Sequence, residues 1–138
     1  MSKFVLLDTV TEINGVDLSD HINSVEVALK MADLDSTNFS GGGKEHTPGL
    51  RDDEIAVNFQ QDFAVGEVNA TLAPLFFDRT EFTVTVKPRN ASISATNPGF
   101  QATCVLLEYT PLSGKVGDLS EIKVKFATQH TGVTMLTS

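Results

Sequence analysis

A period of two runs through this sequence and limits what it can fold into. Val25, Val27 and Leu29 alternate with Ser24, Glu26 and Lys30, and Ile55, Val57 and Phe59 with Glu54, Asn58 and Gln60. Phe82, Val84 and Val86 alternate with Glu81, Thr83, Thr85 and Lys87, and Ile122, Val124 and Phe126 with Glu121, Lys123 and Lys125. Successive side chains of a strand point to opposite faces, so each run reads as a strand with one face in a core and the other wet. Half-wet strands belong to antiparallel sheets. The expectation is a mainly β fold.

One run departs from the alternation. Between Ala102 and Tyr109, Cys104 and Leu106 occupy one face, while Val105, Leu107 and Tyr109 occupy the other. A strand apolar on both faces is either central in its own sheet or covered by another subunit. Turn chemistry fits the strands. Asn14-Gly15 between Thr11-Glu12-Ile13 and Val16-Asp17-Leu18 is a two-residue hairpin signal. Asn97-Pro98-Gly99 and Ser113-Gly114 mark two connections, and Pro88 should end its strand. Val65, Val68, Leu72 and Leu75-Phe76 carry the spacing of one flanking helix. Gly66 and Pro74 weaken it, so a short helix beginning near Thr71 is expected. Met31 to Leu50 holds Asp33, Asp35, Asn38, Phe39, Gly41-Gly42-Gly43-Lys44 and Pro48, and reads as a long irregular loop. Loops of that length usually bind something or stay mobile.

The 138 residues are expected to form one domain, spanning 1–138, without a dividing linker. At 41% hydrophobic the chain has enough apolar residues for a globular core. No apolar stretch is long enough for a membrane helix, and the opening Met-Ser-Lys-Phe-Val-Leu-Leu-Asp meets an acid before a signal core forms. A soluble protein made in a cytoplasm is therefore expected. The net charge is −8, and residues 1–67 hold 13 acids against 4 bases. Such an acidic half argues against a groove that grips DNA phosphates. It is equally consistent with acidity for solubility alone.

Chemistry finds little support. Gly41-Gly42-Gly43-Lys44 lacks the spaced first glycine of a phosphate loop, and Glu45 follows where Ser or Thr is required. Asp33, Asp35, Asp52 and Asp53 do not have calcium-loop spacing. His21, His46 and His130 are too dispersed for a zinc signature, and Gly-x-Ser-x-Gly is absent. The lone Cys104 sits in an apolar run and reads as a buried thiol. With no Trp and one Tyr there is no platform for stacking bases or sugars. No catalytic residue, metal ligand or cofactor is assigned.

The order of elements resembles the major tail proteins of long-tailed bacteriophages, most closely those infecting actinobacteria. The resemblance rests on Ile13-Asn14-Gly15-Val16-Asp17-Leu18-Ser19 before an alternating strand, then the long polar loop with its glycine run. It continues through Ile55-Ala56-Val57-Asn58-Phe59-Gln60-Gln61-Asp62 and a Val/Leu segment. Ala95-Thr96-Asn97-Pro98 and Gly114-Lys115-Val116-Gly117-Asp118, each before a further strand, complete it. It covers nearly the whole chain as a pattern of elements, without a single diagnostic motif.

The resemblance implies an antiparallel β-sandwich or barrel with one flanking helix. Copies would form hexameric rings stacked into a tail tube that conducts DNA during ejection. The loop at 31–50, with Asp33, Asp35, Asn38, Phe39, Gly41, Gly42, Gly43 and Lys44, would contact the next ring, joined by Met1–Leu7 and Gly132–Ser138. The lumen would be lined either by the side of Glu54, Asn58, Gln60 and Asp62 or by that of Glu81, Thr83 and Thr85. Implied partners are further copies of the chain and other tail proteins: tape measure, tail terminator and distal tail protein. DNA would pass without specific binding, no membrane is involved, and the location is the virion. Two alternatives stand beside this reading: another virion component (capsid decoration or tail completion), and a ligand-binding β-sandwich.

Overall fold

The computed structural model describes residues 3–138. Its strands are β1 (Val10–Ile13), β2 (Val16–Asp17), β3 (Ile22–Ala28), β4 (Met31–Asp35), β5 (His46–Arg51), β6 (Glu54–Gln60), β7 (Phe82–Lys87), β8 (Gly99–Val105), β9 (Glu121–Thr128) and β10 (Thr134–Leu136). One helix, α1 (Val68–Phe77), lies between β6 and β7. Among the described residues the fold is mainly β and antiparallel with a single α-helix, as the alternation and the resemblance led us to expect.

Eight strands form one sheet in the order β2-β1-β7-β8-β9-β6-β3, with β10 also paired to β8. The seam at β8–β9 is short: only Cys104 with Thr128 and Val105 with Ala127 are in register. By contrast, β6 and β9 pair along their whole length, from Glu54–Ala127 to Gln60–Glu121. The sheet folds over at this seam into two wings, and both contribute to one core. Val84, Val86, Ala102 and Cys104 come from one wing; Ile55, Val57, Phe59, Ile122, Val124 and Phe126 come from the other. Across the core the Phe82 and Phe126 rings meet edge to face at 5.6 Å, a geometry aromatic pairs prefer.

The alternating runs become β3, β6, β7 and β9, and Pro88 ends β7. Asn14-Gly15 makes the turn between β1 and β2, with φ of 52° and 82°, the left-handed pair that a tight hairpin turn requires. Leu29, the last apolar residue of its run, lies beyond β3 and is exposed.

Three expectations need correction. The helix begins at Val68, not near Thr71, and carries Pro74 in its interior. Val68, Leu72 and Leu75 bury against the core, and Val65 is exposed outside the helix. Pro74 faces solvent, so its ring displaces no core packing. The run Ala102–Tyr109 is not a strand buried on both faces. β8 stops at Val105, Leu107 is exposed, and the chain from there to Ser120 is irregular. Tyr109 instead packs beside the core, its hydroxyl donating to Asn69 Oδ1 at 2.8 Å.

The third correction concerns Met31–Leu50, which is a hairpin and not an irregular loop. β4 and β5 pair with each other in a two-stranded sheet of their own. Nearly every residue of this arm is exposed, so neither strand carries the one-sided apolar pattern that reveals a strand in sequence. Pro48 is tolerated because each strand has an open edge.

Candidate assembly surfaces

The arm is held at its root. The Asp53 side chain is fully shielded from solvent and pairs with the Arg51 guanidinium. It accepts hydrogen bonds from the Lys30 amide at 2.9 Å and the Val133 amide at 2.8 Å. Arg51 also donates to the Val133 carbonyl at 3.2 Å, and the Asp52 amide donates to the Lys30 carbonyl at 2.9 Å. One buried carboxylate thus ties both ends of the arm to the C-terminal segment. Burial alone would raise its pKa, but the two amides and Arg51 outweigh it and hold the carboxyl below its ordinary value. Gly132 passes so close that an added Cβ would lie 2.5 Å from Asp53 Oδ2, and its φ is +65°. In the sequence Asp53 is only one of four acids that lack calcium-loop spacing. Nothing in its sequence setting marks it as the anchor of the arm.

Beyond the root the arm extends freely. His46 Nδ1 lies 2.8 Å from Asp33 Oδ1 across the ladder, and the ladder continues through the Ser36 amide to the Glu45 carbonyl at 3.0 Å. Asp35 caps the Thr37 amide at 2.9 Å, and Asn38 accepts from the Ser40 amide at 3.0 Å. Asn38, Phe39, Gly41, Gly42, Gly43 and Lys44 form the tip, with Phe39 fully exposed. Met31, Leu34 and Leu50 also expose their side chains along the arm. A two-stranded hairpin is marginal alone in water, and this one lays no face on its own domain.

Other apolar side chains lie open as well. Phe4, Val5, Leu6 and Leu7 are exposed near the N-terminus, as are Leu107, Leu112, Val116 and Leu119 between β8 and β9. Met1 and Ser2 lie outside the described residues. Scattered apolar exposure is ordinary, whereas contiguous exposure marks interaction surfaces.

The two candidate lumen faces differ in chemistry. On β6, Glu54, Asn58 and Gln60 share the outer face of their wing with Lys125 opposite Ala56, Lys123 opposite Asn58 and Glu121 opposite Gln60. Glu108 approaches Lys123 and Lys125 from the irregular connection. Both signs of charge are present. On β7, Thr83 stands opposite Thr103, and Thr85 opposite Gln101, which donates to the Thr85 hydroxyl at 3.3 Å. Thr134 of β10 lies opposite Gln101. Glu81, just before the strand, accepts from Gln129 at 2.9 Å. This second face is an apron of threonine and glutamine, continued at the end of β7 by Lys87 opposite Val10.

Asp62 lies beyond the end of β6 and joins a cluster not anticipated from sequence. His21 Nε2 is 2.9 Å from Asp62 Oδ2, and His21 Nδ1 is 2.9 Å from Asp20 and 3.4 Å from Glu67. The hydrogen bond to Asp20 raises the imidazole pKa most; partial burial opposes it, and Asp62 and Glu67 add to the rise. Asp20, His21 and Glu67 place ligand-type atoms within 4.8 Å of one another. Dispersed histidines gave no hint of this, because Asp62 and Glu67 reach the ring only through the fold. The cluster fastens the 3-10 turn Ser19–His21 to the entry of α1.

Asn97, read as a turn residue, is buried and satisfies three carbonyls, those of Arg89, Ala91 and Ser92, while accepting from the Arg89 amide. Cys104 is buried, and desolvation pushes its thiol up to about 12. Among the described residues no helix is long and apolar enough to cross a membrane.

No family model matches the sequence, and no curated protein does. The fold does recur in solved structures. A chain of the tail of an empty gene transfer agent particle, refined helically with C6 symmetry, superposes with a TM-score of 0.62 at 13% identity. The match covers 86% of this chain and 82% of that one. A chain of the virion of a native gene transfer agent particle gives a TM-score of 0.66 at 12% identity, covering 85% of each. At such identity the likeness is one of fold.

Proposed function

We propose that this chain is a structural subunit of a phage-type tail, one that assembles into stacked, hexameric rings forming a tube for DNA. The observation that carries this reading is the arm: a hairpin paired only with itself, anchored at its root by buried Asp53, with apolar side chains that find no cover in their own chain. Such an element gains stability by lying on another subunit. Its root and tip are different surfaces, so the contact is heterologous and propagates into rings or stacks. The fold shared with chains of gene transfer agent particles, one of them refined in C6 symmetry, supports the same reading.

In this reading residues 1–138 act as one tail-tube domain, and Asp33, Asp35, Asn38, Phe39, Gly41, Gly42, Gly43 and Lys44 make the contact between rings. The lumen is lined by the Glu81, Thr83 and Thr85 side, because a conduit should offer phosphates few cations and this face carries Lys87 where the other carries Lys123 and Lys125. The Glu54, Asn58 and Gln60 side, flanked by Lys123 and Lys125, faces away from the channel. The tape measure, tail terminator and distal tail proteins are the partners at the ends of such a tube. The role calls for no catalysis and no cofactor, and its place is the virion. Sedimentation velocity across a hundredfold concentration range tests it. Species growing without a fixed upper size support the tube, and a closed dimer or trimer contradicts it.

A further inference from the structure

We propose that the apolar groove at the root of the arm is the socket for the arm tip of a second copy, with Phe39 as the plug; this rests on the tube reading above. The groove is an open depression of about 320 Å³ lined by Phe4, Leu6, Val25, Val27, Val86 and Phe100, with Leu29 at the arm's base. It lies where β3 stands across from β7 and β8, so both wings and the N-terminal segment build its walls. That volume admits an aromatic ring. Phe39 is a fully exposed ring on a turn ordered by Asp35, Thr37 and Asn38.

The plug cannot be the chain's own. Pairing of β4 with β5 continues to Ser36 and Glu45. Six residues of mostly extended chain therefore separate Leu29 from Ser36, which puts the tip about 20 Å from the groove. Charge favours the same union. The arm carries Asp33, Asp35 and Glu45 against Lys44, while Arg89 stands beside the groove, its guanidinium 5.3 Å from the Phe4 ring centroid. Plug and socket sit at opposite ends of one element, so each copy that fills a socket offers a free one, and the contact repeats without closing.

Cysteine cross-linking of full-length chains tests this, since buried Cys104 stays silent. Phe39→Cys and Leu6→Cys chains are mixed and oxidised at concentrations that form rods, with Phe63→Cys replacing Phe39→Cys as the control. A covalent mixed dimer for the first pair only, and a ladder for a chain carrying both substitutions, is the expected result. In parallel, Phe39→Asp should raise the concentration needed for assembly roughly tenfold or more, while Phe39→Leu should largely preserve it. Rods that form without the cross-link overturn the socket and leave the tube standing. Absence of both cross-link and rods overturns the tube reading together with the socket.

Discussion

The fold shifts the ionisation of Asp53 and of His21 in opposite directions. Asp53 is held below its ordinary value of 3.8, so its contribution to stability is complete above that pH and is lost as pH falls through the lower, folded value. Replacing it with Ala leaves Arg51 unpaired and two amides without acceptors, and should lower stability by about 3 kcal/mol, read from urea unfolding. His21 lies above its ordinary 6.5. Its contribution is complete below pH 6.5 and is lost as pH rises through the folded value. An NMR titration should place the His21 midpoint above 6.5 in the native chain and lower in Asp62→Asn. Cys104 should resist thiol reagents until the protein unfolds. Only Cys104 was legible here, from the apolar run around it. Besides the near neighbours Arg51 and Asp20, Asp53, Asn97 and His21 depend on partners 5 to 80 residues away, and no local pattern records such meetings.

At the scale of elements, what could be read depended on having a buried face. β3, β6, β7 and β9 each put one face in the core, and their alternation shows it. The arm buries neither face and therefore reads as loop. Leu72 and Leu75 mark the helix in the sequence, while Pro74 argues for a late start, yet α1 carries that residue on its wet side. Pro removes a helix hydrogen bond, so Pro74→Ala should stabilise the protein by about 1–2 kcal/mol, the full effect being offset by a looser unfolded chain. Deleting Gly41–Lys44 should leave thermal unfolding within a few degrees of native, because the tip touches nothing in its own domain, yet abolish stacking. The same Cys104 background allows the lumen face to be assigned. In preformed rods Asn58→Cys should react with a bulky maleimide, and Thr85→Cys should react only after disassembly.

For the whole molecule, the alternating strands specified antiparallel sheets, while the sandwich itself entered through likeness to tail proteins. The short β8–β9 seam that folds one sheet into two wings has no sequence mark, since it depends on where β10 displaces β9 along β8. Assembly is legible only as residue: apolar side chains left over once the core is filled. The central claim is that these side chains drive open-ended stacking, and negative-stain electron microscopy of the purified chain at rising concentration tests it most directly. Hollow rods or stacked rings with sixfold end views are the predicted result. A monomer, or a small closed oligomer that does not lengthen at any concentration, would contradict it.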